Sequence, residues 1–136
     1  MGKRISRSEA RQEAFKLVFE LNQHMDETDF LFENLLSENP KAISAMPYIK
    51  EVVTGISEHY EELLDIISKN LADGWKVERI SKPSRAILML AIYEIKYVED
   101  VPQKVAVNEA VELAKMFDEP QSAAFVNGVL AGVLKE

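Results

Sequence analysis

Apolar residues recur along the chain at spacings of three and four, the period of an amphipathic helix, and no segment alternates as a strand would. Ser6-Arg7-Ser8-Glu9 has the S-x-x-E spacing of a capping box, which predicts a first helix starting after Ser6. Ala10, Ala14, Leu17, Val18 and Leu21 then line one face of it. Arg7 and Arg11 fall off that stripe as i, i+4 neighbours and are expected to point together toward solvent. Phe15 and Phe19 form a second i, i+4 pair at its border, where they widen the core or, if exposed, offer a stacking surface for bases.

A short second helix fits Asp29 to Leu36, ended by Glu38-Asn39-Pro40. Pro47 is placed as a first helical residue. Val52, Ile56, Tyr60, Leu63, Ile67 and Leu71 carry the period onward as far as Asp73-Gly74, with Gly55 as a candidate interruption. Pro83 restarts a helix over residues 83–98 that is apolar nearly all round, as a central buried helix would be. Glu94 lies inside it, and a buried carboxylate there requires a partner. Pro102 begins the next helix, with Val107, Ala110, Val111, Ala114 and Phe117 expected on its inner face. Pro120 and Ser122 begin the last, with Phe125, Val126, Val129, Leu130 and Val133 inward. The expected fold is all-α: six or seven helices in two closely packed sub-bundles forming one domain over 1–136, with halves of about 1–73 and 74–136.

Composition sets the limits of that domain. At 136 residues the chain can bury roughly two-thirds of its unfolded surface in one core. Five Gly and five Pro argue against disorder and against a turn-rich β fold. The absence of cysteine excludes disulfides, thiolate metal sites and thiol nucleophiles. Only His24 and His59 could serve as imidazole ligands, so no metal is expected. No apolar run approaches 18 residues and the first residues lack the core of a signal peptide, so a cytoplasmic protein without a membrane contact is expected.

The net charge of −7 argues against nucleic acid only until its distribution is read. Residues 1–16 hold five bases against two acids, +3, whereas residues 17–38 hold six acids and no base, −6. Residues 76–85 hold Lys76, Arg79, Lys82 and Arg85 against Glu78, again +3. Phosphate-cradling glycine loops, nucleophile elbows and H-E-x-x-H are all missing, and no nucleophile, base and orienting group assemble. No enzyme and no cofactor are expected.

The most specific patterns lie in the C-terminal third. Val101-Pro102-Gln103-Lys104-Val105-Ala106-Val107-Asn108-Glu109-Ala110-Val111-Glu112-Leu113-Ala114-Lys115 is followed by Phe125-Val126-Asn127-Gly128-Val129-Leu130. Together these resemble the signatures of the NusB family of bacterial transcription antitermination factors, with supporting matches at Arg11, Ala14, Arg85-Ala86-Ile87-Leu88 and Ala91-Ile92-Tyr93-Glu94. A glycine inside a helix costs about 1 kcal/mol relative to alanine, so Gly128 is expected where a neighbouring helix packs close to the backbone. Asn108, Glu109 and Asn127 are expected to make structural hydrogen bonds between helices.

The resemblance implies a non-enzymatic RNA-binding adaptor. It would bind the single-stranded boxA element of nascent ribosomal RNA together with a small-subunit ribosomal protein, NusE, and help an RNA polymerase antitermination complex pass terminators. Carried over, Lys3, Arg4, Arg7 and Arg11 become the leading RNA candidates, with Phe19 as a base-stacking aromatic and Lys82, Arg85 and Lys104 in support. The protein partner is expected near the start of the 83–98 helix, at Ser84 and Arg85. Met89, Gln103 and Ala124 depart from the family pattern of arginine, tyrosine and lysine, and each removes a candidate RNA contact. The alternative reading is a helical protein–protein adaptor without RNA specificity. The same domain also occurs fused to ribosomal RNA cytosine methyltransferases, but 136 residues leave no room for the cofactor-binding domain. A homodimer covering Phe15, Phe19 and the arginines is a further expectation of the aromatic and basic helix face.

Overall fold

The computed structural model describes residues 4–21 and 28–135. Among these residues all regular structure is helical: α1 (Arg7–Leu21), α2 (Thr28–Glu38), α3 (Met46–Glu58), α4 (Tyr60–Lys69), α5 (Lys82–Tyr97), α6 (Gln103–Phe117) and α7 (Ser122–Leu134), with short 3-10 turns at Pro40–Ala45 and Val77–Arg79. The all-α fold is as the periodicity predicts. Lys3 and His24 lie outside the described residues.

The chain divides into two compact units, Met1–Glu58 and His59–Glu136. The division falls ahead of the Asp73-Gly74 break that the sequence suggests. Its cause is the single long apolar pattern from Pro47 to Leu71, which is two helices separated at His59. Gly55 does not interrupt α3; it is buried within it. Beyond His59 the stripe of Leu63, Ile66 and Ile67 packs α4 onto α5, and α4 therefore belongs with the C-terminal helices. Asp73-Gly74 is a turn inside the second unit, with Gly74 at φ 86°, a conformation that favours glycine.

In the first unit the capping box forms as spaced: the Glu9 amide donates to Ser6 Oγ at 3.0 Å, and the Ser6 amide donates to Glu9 Oε1 at 3.2 Å. α1 then buries Ala10, Ala14, Phe15, Leu17, Val18 and Leu21 and packs against α3. Phe15 is thus core, which removes it from any face available to a second copy of the chain.

In the second unit α5 is central. Every residue from Ala86 to Glu94 is buried, and the helix packs against α4, α6 and α7. Its N-terminus is fixed by Ser81, whose Oγ accepts from the Ser84 amide at 3.2 Å. α6 turns a face to the core that is rotated from the expected one: Ala106, Ala110, Leu113 and Ala114 are buried, while Val107, Val111 and Phe117 are half-buried. Three of these four are alanines, so α6 meets the core mainly through small side chains. Near the C-terminus of α5, Tyr97 Oη donates to both Glu62 oxygens at 2.7 and 2.8 Å, Lys96 Nζ lies 3.1 Å from Oε1, and His59 Nδ1 lies 2.8 Å from Oε2. The bonds from Tyr97, Lys96 and His59, in that order, hold the Glu62 carboxyl down from 4.5 to about 2.

The glycines of α7 are reversed from expectation. A Cβ at Gly128 would meet nothing within 4 Å, and Asn127 beside it is exposed. The close approach belongs to Gly132, where a Cβ would lie 2.5 Å from Asn70 Oδ1. Asn70 is held there by its Nδ2, which donates to the Ile66 carbonyl at 2.9 Å.

Two outcomes test this packing. Gly128→Ala is expected to stabilise the protein by up to about 1 kcal/mol through helix propensity. Gly132→Ala is expected to gain less, since moving Asn70 forfeits a bond worth about 0.5–1.5 kcal/mol. Equal gains in chemical denaturation would refute the contact. For Glu62, a depressed folded pKa gives stability that is complete above pH 4.5 and lost as pH falls toward 2. The stability gap between the parent and Glu62→Gln should therefore shrink over that window, and a gap independent of pH would refute the clamp.

Candidate nucleic-acid interface

The N-terminal candidates separate once α1 is formed. Arg4 and Arg7 are exposed and line a cavity of about 290 Å³ with Ser44 and Tyr48. The Arg7 guanidinium sits 4.4 Å from the centre of the Tyr48 ring, a cation–π contact that holds it at the start of α1. The helix N-terminus directs its own partial positive charge to the same end. Two arginines beside a helix N-terminus make a surface suited to phosphate.

Arg11 is not part of that surface. It is 3% exposed and buried, against the expectation that it points to solvent with Arg7. The reason lies in the helical period itself: Arg11, Ala14, Phe15 and Val18 stand at i, i+3, i+4 and i+7, so Arg11 shares their face. Phe19 is half-buried, its ring tilted against Phe15 at 6.3 Å between centroids.

The second basic island belongs to the other unit and is organised around one carboxylate. Ser81 and Ser84 hydroxyls both donate to Asp118 Oδ2 at 2.6 Å, and the Glu119 amide donates to Oδ1 at 2.8 Å. Burial pushes the Asp118 carboxyl up, but the bonds from Ser81, Ser84, the Glu119 amide and Ser122 outweigh it and hold the group below its ordinary value. This clasp ties the start of α5 to the α6–α7 connection. Ser84 is 1% exposed, and its hydroxyl is committed to this clasp. Arg85 is half-buried, and its Nη2 donates to the Val77 carbonyl at 3.2 Å, fastening the 3-10 turn that carries Lys76 and Arg79. Lys76, Arg79 and Lys82 are exposed around it, and Lys104 is exposed in the first turn of α6.

The signature residues also depart from expectation. Asn108, Asn127 and Gly128 are exposed rather than placed at helix crossings, and Glu109 is half-buried. Sequence reasoning missed Trp75, Phe125, Tyr48 and Asp118. The signal for Trp75 was present: the lone tryptophan stands directly before the 76–85 basic island. Nothing local marks Asp118, whose role depends on two serines 34 and 37 residues away.

Among the described residues no group of histidine and carboxylate side chains could hold a metal ion, and no helix is long and apolar enough to cross a membrane. The sequence profile of the NusB family matches residues 8–135. Transcription antitermination protein NusB of Levilactobacillus brevis is 40% identical over 134 residues, covering 97% of this chain and 94% of that protein. The crystal structure of Thermotoga maritima NusB superposes with a TM-score of 0.88 at 32% identity, covering 98% and 94% of the two chains. A structure of the antitermination factors NusB and NusE in complex with double-stranded RNA superposes with a TM-score of 0.84 at 27% identity, covering 95% and 96%. The family profile and the relatives, which carry the name of transcription antitermination proteins, set the class. The chain belongs to the NusB family.

Ser84→Ala removes one donor from a charged, partly buried acceptor and is expected to destabilise the protein by about 1–2 kcal/mol. The loss should be present at neutral pH and fade as pH falls from the ordinary aspartate value through the lower one that Asp118 has in the fold, below which the carboxyl is protonated. A denaturation midpoint equal to the parent's at pH 7 would refute the clasp.

Proposed function

We propose that the chain is an RNA-binding transcription antitermination factor of the cytoplasm. It takes the boxA-type RNA of nascent ribosomal RNA together with NusE and acts within the RNA polymerase antitermination complex. The observation that carries this reading is the pair of exposed arginines, Arg4 and Arg7, set at the capped start of α1 with Arg7 braced on Tyr48. It is supported by the structure of a related NusB bound to NusE and RNA. Lys3 extends the same basic segment in sequence, and Lys82 and Lys104 supply exposed charge in the second unit.

In this reading the arginines neutralise phosphates and release counterions, so RNA binding by the chain alone is weak and salt-dependent. NusE adds contacts and raises the affinity. Arg11 acts by supporting α1 from within, and Arg85 by holding the Val77 carbonyl; neither reaches RNA directly. That two candidate cations are structural favours, as a second reading, a protein–protein adaptor whose RNA preference comes from NusE.

A titration of boxA-type RNA, with and without NusE across salt concentrations, separates the two. Arg7→Ala is expected to weaken binding at low salt and to reduce the slope of log K against log salt by about 0.7, the value for one phosphate on a single strand. An unchanged slope would remove Arg7 from the interface. Binding that requires NusE at every salt concentration would favour the adaptor reading.

A further inference from the structure

The RNA-binding reading leaves the outward face of α2 without a role. The helix buries Leu31, Phe32 and Leu35 and leaves Asp29, Phe30, Glu33, Asn34, Ser37 and Glu38 exposed. Phe30, Glu33, Asn34 and Ser37 stand at i, i+3, i+4 and i+7, so they form one face. Phe30 is 58% exposed, and Ile43, in the 3-10 turn that α2 packs against, is 64% exposed. They are the two most exposed large apolar side chains among the described residues, and both belong to the first unit. A lone exposed apolar side chain is ordinary. What distinguishes Phe30 is its setting among carboxylates, with Asp29 before it in sequence and Glu33 one turn on.

Those carboxylates weaken the helix that carries them. Asp29 suits the positive N-terminal end of α2, but it stands at i, i+4 from Glu33, a like-charge pair that opposes helix formation. Glu38 lies in the last turn, which contains no base and where the helix presents its partial negative charge. Among the described residues none of the three forms an ion pair. Lys16 on α1 pairs with Glu13 at 3.5 Å, and the Lys50 Nζ on α3 lies 5.8 Å from the centre of the Phe32 ring. Lys41 is exposed in the 3-10 turn and pairs with none of them. Residues 17–38 contain six acids and no base, so no cation of the helix itself relieves the charge. A base brought from outside would relieve it.

We propose that the outward face of α2 docks a basic amphipathic helix of a protein partner distinct from NusE, with an apolar side chain laid on Phe30 and Lys or Arg set against Glu33 and Glu38. The inference goes beyond the RNA-binding reading and does not depend on it. Charge selects this occupant: carboxylates with no paired base repel RNA, an anionic lipid surface and an acidic protein alike. A second copy of the chain seated through the same face would set carboxylate against carboxylate. Shape selects a helix, because the face is itself a helix whose rows of side chains leave grooves for the ridges of another. Phe30 supplies the apolar anchor that such an interface needs at its centre, and the carboxylates set the register around it.

The test uses the full chain labelled with nitrogen-15 and a fluorescent synthetic peptide of about 18 residues, with leucine at helical spacing and lysine elsewhere. Label anisotropy gives the affinity and amide shifts give the place. The expected result is binding with the shifts gathered on α2, lost when the peptide's lysines are replaced by glutamate or its leucines by serine. Phe30→Ala and Glu33→Lys should each weaken binding about tenfold or more. Glu38→Lys should weaken it as well while raising the denaturation midpoint, since it removes the clash with the helix end. A merely structural role would not move these two readouts in opposite senses. Midpoints at or above the parent's would show that the variants fold. Absence of binding up to about 1 mM peptide would overturn the proposal. Parent affinity in Phe30→Ala, shifts gathered on another helix, or displacement of the peptide by NusE would overturn it equally.

Discussion

A helix with no exposed residue between Ala86 and Glu94 can exist in water only if other helices cover it on every side. That constraint organises the second unit. α4, α6 and α7 all pack on α5, and each meets it with a stripe matched to the space available: Leu63, Ile66 and Ile67 from α4, alanines and Leu113 from α6, Val126, Val129, Leu130 and Val133 from α7. Because the body of α5 is wholly enclosed, its two ends are where the unit meets solvent with polar chemistry. At one end Ser81 and Ser84 grip Asp118, and at the other Lys96 and Tyr97 grip Glu62. Both carboxylates are held ionised by donors, and both tie α5 to a helix or connection that would otherwise be free to slide along its apolar surface.

Helix starts were legible in the sequence because their chemistry is local. Ser6-x-x-Glu9, Pro83, Pro102 and Ser122 each lie within a few residues of the observed boundary. The break at His59 was not legible, since the apolar period runs on from α3 into α4 and periodicity alone cannot see a one-residue interruption. Arg11 shows the same limit from the other side. Its register places it on the buried face with Ala14, Phe15 and Val18, but its charge suggests solvent, and here register decides. The glycines required distances that no sequence contains: Gly132, not Gly128, is the position where another side chain comes near.

The candidate site was legible in composition and illegible in detail. Two +3 islands in a chain of net charge −7 pointed to basic surface, and exposed cations do stand in both. Which cations are exposed depends on tertiary demands. Arg11 is enclosed by the first unit, and Arg85 is drawn onto the Val77 carbonyl. The exposed cations of the candidate interface, Arg4 and Arg7 in one unit with Lys76, Arg79, Lys82 and Lys104 in the other, are a small set on an acidic protein.

A small set of cations has a consequence for recognition. Each phosphate contact on a single strand contributes a factor that falls with salt to about the 0.7 power, and the surrounding carboxylates oppose any anion that strays from the basic surface. If the proposed function holds, affinity at physiological salt comes largely from contacts that ions do not screen. Stacking on an aromatic ring is one such contact and burial against a protein partner is another. In the proposed function, an acidic protein whose candidate interface holds few bases would hold RNA poorly by charge alone, so that discrimination would come from geometry and charge would supply only the approach.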